Sequence, residues 1–445
     1  MDLAGGTAPD ADLSRWSKAR RRAAALDSRW SSSPSPTALV GVTPSGYRRC
    51  AMPAMPRARR MCLPLVVIGL TVALAPACGG DKATKDTKGV KPAPGNKAPA
   101  QTPEATPPPT GETWTWALPK GLSAAPVVPA DNPMSAAKVE LGHQLFMDKR
   151  LSGDGSRSCY SCHQNELGAA DGRTLALGAG DKPLTRNTPT IWNVAYHQNG
   201  LYWDGRAPTL EKQMLGAWKG GNMGAGDDLA AKAKEIGALP EYTSQFAEVF
   251  GLEPGAEITP DHIAMAVSAY ERTLLCGDTA FDQGTMSEAA SRGWDLFRGK
   301  ASCSTCHAGD NFTDGQFHDV GISHDAAGQL LPDADVGRGK PSEVEADNYK
   351  FRTPTLRNVT KTAPYFHNGS VADLTEVVRY MAAGGNAKAP GVDQNLRNTQ
   401  LTEAEIADVV AFLGALECPG SLQVIGDQSV AGIPEAAEAA DPAAP

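Results

Sequence analysis

Two Cys-x-x-Cys-His pentads, Cys159-Tyr160-Ser161-Cys162-His163 and Cys303-Ser304-Thr305-Cys306-His307, constrain this chain more than anything else in it. In such a pentad the two thiols add to the vinyl groups of a haem, and the adjacent imidazole is held where it ligates the iron. A structural zinc site would gather four ligands in one place, whereas Cys159 and Cys303 stand 144 residues apart and each pair ends in His. A thioredoxin-type dithiol would precede the helix of a βαβ unit, and no such pattern surrounds either pair. The chain is therefore expected to carry two covalent c-type haems and to be a redox protein.

The surroundings of the pentads repeat. Gly142-His143-Gln144-Leu145-Phe146 precedes the first and Gly293-Trp294-Asp295-Leu296-Phe297 the second. Thr188-Pro189-Thr190-Ile191-Trp192-Asn193-Val194 follows the first and Thr353-Pro354-Thr355-Leu356-Arg357-Asn358-Val359 the second. Trp203-Asp204-Gly205 is then answered by His367-Asn368-Gly369. Landmarks recurring in one order predict two copies of one haem domain. Helical stripes support this. Ile406, Val409, Val410, Leu413 and Leu416 share one face behind a Thr402/Glu405 capping box, and Thr259-Pro260 opens a helix carrying Ile263, Val267, Tyr270 and Leu274. Nothing alternates with period two over a useful length. The expected fold is all-α, two tandem cytochrome c-like domains, over 113–284 and 285–420.

The rest of the chain bears on location. Arg57, Arg59 and Arg60 precede an apolar run from Leu63 to Leu74, too short to span a bilayer but suited to a signal-peptide core. Residues 1–78 read as an N-terminal extension and signal peptide, with 79–112 a Lys/Thr/Pro tether and 421–445 an acidic tail, both expected to be disordered. The chain carries a net charge of −8, and its first sixty residues contribute +7, leaving −15 for the remainder. So acidic a globule suits a basic electron-carrier partner and argues against nucleic acid.

The pentads, Arg186-Asn187-Thr188-Pro189-Thr190, Trp203-Asp204-Gly205-Arg206-Ala207 and Pro364-Tyr365-Phe366-His367-Asn368-Gly369-Ser370 together resemble the bacterial di-haem cytochrome c peroxidase and MauG superfamily, over roughly residues 132–417. The resemblance implies an electron-storing haem in the C-terminal domain with Met381 as its distal ligand. MauG-like members place Tyr there. It implies a peroxide site at the N-terminal haem. No His stands at Ala179, where some members carry one that closes this haem. Gln213 matches the family's distal Gln, and Asn222 replaces its distal Glu, so Asp227 or Asp228 is an alternative proton carrier. Trp203 matches the electron relay between haems. Asn187, Thr362 and Pro364 match the ligands of an interdomain calcium ion.

Ala75-Pro76-Ala77-Cys78-Gly79 resembles a bacterial lipobox, which would lipidate Cys78 and anchor the protein in the periplasm, on the outer membrane. Cys276 and Cys418 remain after haem attachment. Each lies just past a helix, and the sequence leaves open whether they pair. The leading expectation is a peroxidase that reduces hydrogen peroxide with electrons from a small c-type cytochrome or cupredoxin; homodimerisation is also open. Val127-Val128-Pro129-Ala130-Asp131-Asn132-Pro133-Met134-Ser135 resembles the MbnH-like branch, which raises a second reading, peroxide-dependent oxidation of Trp or Tyr on a partner protein. A non-enzymatic relay or sensor is the third.

Overall fold

The computed structural model describes residues 114–419 apart from Pro254; the signal peptide, Cys78, the tether and the tail lie outside the described residues. The first half holds α1 (Ala136–Met147), α2 (Leu210–Lys219), α3 (Leu229–Gly237), α4 (Pro240–Phe250) and α5 (Pro260–Arg272). The second holds α6 (Ala280–Gln283), α7 (Glu288–Arg298), α8 (Gly339–Ser342), α9 (Leu374–Ala382) and α10 (Glu403–Gly414). One addition to an all-α expectation is a two-residue antiparallel ladder, β1 (Phe317–His318) with β2 (Phe351–Arg352). Among the described residues no helix is long and apolar enough to cross a membrane.

Local chemistry sets the helix ends. Ser135 and Ser287 cap α1 and α7 by accepting from the third residue on, Lys138 N and Ala290 N. The Thr402/Glu405 capping box closes in both directions, and Thr259 makes the equivalent box with His262.

Each half is organised by one crossing of two helices. A Cβ on Gly142 of α1 would lie 1.9 Å from the Ala266 carbonyl oxygen of α5, and one on Gly293 of α7 would lie 1.9 Å from that of Asp408 in α10. Only glycine allows backbones so near, so the repeated Gly marks the contact. Around the first crossing Leu141, Leu145, Phe146, Ile263, Val267 and Tyr270 form one core; around the second Phe297, Val409, Phe412 and Leu413 form another.

The halves are joined covalently and by polar contacts. Cys276, past the end of α5, is disulfide-bonded to Cys418, past the end of α10, with Cα atoms 5.5 Å apart. Left-handed Asn193 holds the first cysteine, its Oδ1 accepting from Cys276 N at 2.7 Å; left-handed Asn358 holds the second, its Oδ1 accepting from Cys418 N at 2.8 Å. The disulfide thus links equivalent positions of the two repeats. Arg186 adds a bridge, donating to Asp204 of the first half and Asp335 of the second.

Candidate haem sites

Both pentads begin on single helical turns, Cys159–Ser161 and Cys303–Thr305, so each histidine follows directly and turns back toward its cysteines. His163 Nδ1 pairs with Ala169 O at 3.0 Å and His307 Nδ1 with Phe312 O at 2.8 Å. A ring nitrogen donating to a carbonyl fixes the tautomer that leaves Nε2 for a metal. Burial lowers the pKa of both imidazoles, which favours the neutral, ligating form.

In the second half Cys303, Cys306, His307 and Met381 line one cavity, walled by Phe297, Leu374, Val378, Val409 and Leu413. Two thiols, an imidazole and a thioether around an apolar slot fit a covalent haem with two axial ligands. The same cavity is lined by Asn187, Trp203, Thr362 and Pro364. Trp203 is held from both sides of the seam: its indole donates to Asn187 O at 2.9 Å and its carbonyl accepts from Arg352 N at 2.8 Å. Asn187 Nδ2 donates to Arg173 O at 2.7 Å, which leaves Oδ1 as its oxygen for a hard cation.

The first half is built differently. Ala179 lies on a loop packed on the segment 220–224, its amide donating to Gly221 O and Asn222 O at 3.1 Å. Cys162 Sγ approaches Leu177 O at 3.6 Å, so this loop pair borders the pentad. Gln213 is half-buried on α2, and its carbonyl accepts from the Tyr202 hydroxyl at 3.0 Å. Asn222 is exposed. The alternatives Asp227 and Asp228 do not fit a distal proton carrier. Asp227 is exposed and paired with Lys219 at 2.7 Å, and Asp228 is exposed and caps α3 through Ala231 N. Asp228 is thereby committed at a helix start, where a carboxylate complements the free N–H groups, and Asp227 to the Lys219 ion pair.

The family model described as Di-haem cytochrome c peroxidase matches residues 136–290, and that described as Cytochrome c matches 290–417. The chain is 40% identical over 320 residues to cytochrome-c peroxidase IdrP1 of Denitromonas iodatirespirans, an alignment covering 65% of this chain and 84% of that protein. The chain belongs to the di-haem cytochrome c peroxidase and MauG family. It is 38% identical over 298 residues to the methylamine utilization protein MauG of Methylorubrum extorquens, covering 65% of this chain and 80% of that one. Among solved structures, a MauG-like protein associated with microbial copper homeostasis superposes with a TM-score of 0.65 at 34% identity, covering 71% of this chain and 99% of that chain. The chain is accordingly an oxidoreductase whose two cytochrome c-type domains take haem c.

Two further ionisable side chains are placed by the tertiary structure beside the candidate sites. His318 lies between Asp393 and Asp314, at 2.6 and 2.9 Å, and its pKa is raised to about 10 by hydrogen bonding to Cys306 and to these carboxylates. Cys306, Asp314 and His318 are the one cluster with metal-ligand spacing among the described residues, and it belongs to the haem attachment site. The other is Glu271, a buried carboxyl on the wall of the first core. Glu271 shares the buried face of α5 with Val267 and Tyr270.

Proposed function

We propose that the protein is a di-haem c-type peroxidase carrying two covalent haems, reducing hydrogen peroxide to water with electrons from a small exported c-type cytochrome or cupredoxin. The carrying observation is the one cavity in which Cys303, Cys306 and His307 meet Met381 while its wall reaches Trp203 of the other half. Met381 and His307 line the same cavity, and a thioether and an imidazole on one haem would favour its reduced state and suit an electron store.

When bound, haem c would supply a peroxide-binding iron at the His163 site and an electron-storing iron at the His307 site. Reduction of hydrogen peroxide consumes two electrons and two protons and releases two waters. Cys159 and Cys162, with Cys303 and Cys306, fix the two groups, and Trp203 spans the seam between them. Gln213 and Asn222 orient peroxide by hydrogen bonds; an amide does not titrate, so Asn222 moves no proton. Asn187 Oδ1 with the carbonyls of Thr362 and Pro364 offers hard oxygen ligands to a calcium ion bracing the seam. The charge of −15 beyond residue 60 suits a basic donor.

Steady-state turnover of peroxide with reduced small cytochrome c tests this reading. Turnover that falls sharply in Trp203→Phe is expected; peroxide binding without turnover by any donor would leave a relay or sensor. The second reading, oxidation of a partner protein's Trp or Tyr, is favoured by the similarity to the MauG-like copper-homeostasis protein. Peroxide-driven oxidation of an exported Trp-bearing partner, faster than cytochrome oxidation, would select it. Location follows from Cys78, proposed as a lipidated anchor on the periplasmic face of the outer membrane. Cys78→Ser is expected to release a soluble, haem-loaded protein, and unchanged membrane association contradicts the anchor.

A further inference from the structure

We infer that Glu271 is the group that takes up a proton when the N-terminal haem site takes up an electron. The inference rests on the reading of residues 159–163 as a haem site and supplies a proton-handling group that its exposed rim lacks.

Glu271 is 7% exposed, and its Oε2 has no hydrogen-bond partner. Its charge is among the causes, after burial, that raise the Cys159 thiol, which puts it in the neighbourhood of the first attachment point of the haem. The second domain shows what that position does. Gly142 meets Ala266 and Tyr270, and Gly293 meets Asp408 and Phe412, so the same offset sets Glu271 against Leu413. Leu413 lines the C-terminal cavity. One domain presents a leucine to its haem, and the other presents an acid.

An unpaired carboxylate in such a wall is unfavourable, so ionised Glu271 would need the positive charge of an oxidised haem beside it, and burial selects the neutral acid once that charge is cancelled. Burial pushes Glu271 up to about 8, Arg272 pulls it down, and Glu211 adds to the rise. The groups around it are few. From α5 come Tyr270 and Arg272; from α2 comes Glu211, which holds Arg272 at 2.7 Å; from the turn after Leu201 comes Tyr202. Lys138 of α1, bonded to Asn132 and Pro133 and pushed down to about 8 by burial and by Arg272, shares the Arg272 and Glu211 cluster. Cys159 no longer titrates once it is a thioether.

The balance is one electron from the donor side and one proton from solvent. The electron would cancel a positive charge of the bound haem, while an O–H bond of a solvent hydronium breaks and an O–H bond forms on the Glu271 carboxylate, cancelling its negative charge. The wall then ends each transfer with its charge unchanged, which is what a low-dielectric site favours.

Spectroelectrochemical titration of the full-length, haem-loaded protein across about pH 5–9, from the ordinary carboxyl range past the raised value, tests the inference. The potential of the N-terminal haem should fall as pH rises through neutrality. Glu271→Gln, and Glu271→Leu as the residue of the other domain, should flatten that fall and leave the C-terminal haem as it was. Equal slopes in wild type and both variants overturn the inference, and would move the proton to Lys138. Stability gives a second readout. A carboxyl pKa raised in the folded state adds stability at low pH that is lost as pH rises through the folded value. Denaturation midpoints of wild type should therefore fall between about pH 5 and 8 more than those of the variants. If the variants do not fold, infrared difference spectra of wild type decide: a carboxyl C=O band must change on reduction of the N-terminal haem, and its absence overturns the inference. A haem count of one per chain would instead refute the haem-site reading itself.

Discussion

The two halves share a frame and differ at the points that touch chemistry. In each, a glycine lets two helices cross at backbone distance, a histidine is tied through Nδ1 to a carbonyl, and a left-handed asparagine grips one cysteine of the disulfide. The differences are local. The C-terminal half offers Met381 and Leu413 to its cavity. The N-terminal half has Ala179 and exposed Asn222 in its bordering loops and Glu271 in its wall. The repeat gives both halves one scaffold, and under the proposed reading Met381 in one half and Asn222 and Glu271 in the other would divide the labour between electron storage and reaction.

Met381→Ala should collapse the difference most. It is expected to abolish the thioether-to-iron charge-transfer band and to slow donor-driven turnover by more than about 100-fold, since even outer-shell changes at metal sites cost about 10–100-fold. Unchanged spectra would mean that Met381 is only a packing residue of α9.

Asn222→Glu restores an acid at the N-terminal rim. The expected gain in peroxidase rate is about 10- to 100-fold, at or below the lower end of the range for positioned acids and bases because position 222 is exposed. Peroxide binding, followed by stopped flow, should change far less. An unaltered rate sharpens the comparison differently, by leaving the proton step to groups inside the wall.

Replacing Cys276 and Cys418 by serine together should lower stability by about 2–5 kcal/mol in chemical denaturation, with both haem spectra retained. Independent melting of the halves in that variant would show that the disulfide makes them cooperative; an unchanged midpoint would show that the polar seam suffices.

Much of this was legible in the sequence because it is local. Pentads, capping boxes and helical stripes are short-range patterns, and the Thr402 and Thr259 starts appear where their residues indicate. The repeat was legible as recurring landmarks. Distance in space was not. Cys276 and Cys418 stand 142 residues apart, and only the packing of α5 and α10 brings their Cα atoms to 5.5 Å. Asp227 and Asp228 looked like candidates for the distal proton role because they follow Asn222, but a helix start claims one and Lys219 the other. The burial of Glu271 is not legible in the sequence because a lone acid in a helix is usually solvated; its burial is tertiary. His318 is the same case, its two carboxylates coming from residues 4 and 75 positions away.

The division of labour is tested most directly by a potentiometric titration of the full-length, haem-loaded protein followed by low-temperature electron paramagnetic resonance. Two well-separated potentials are expected. The higher should belong to a low-spin haem that loses its signature in Met381→Ala, and the lower to a high-spin haem at His163. Two low-spin haems of equal potential would contradict it.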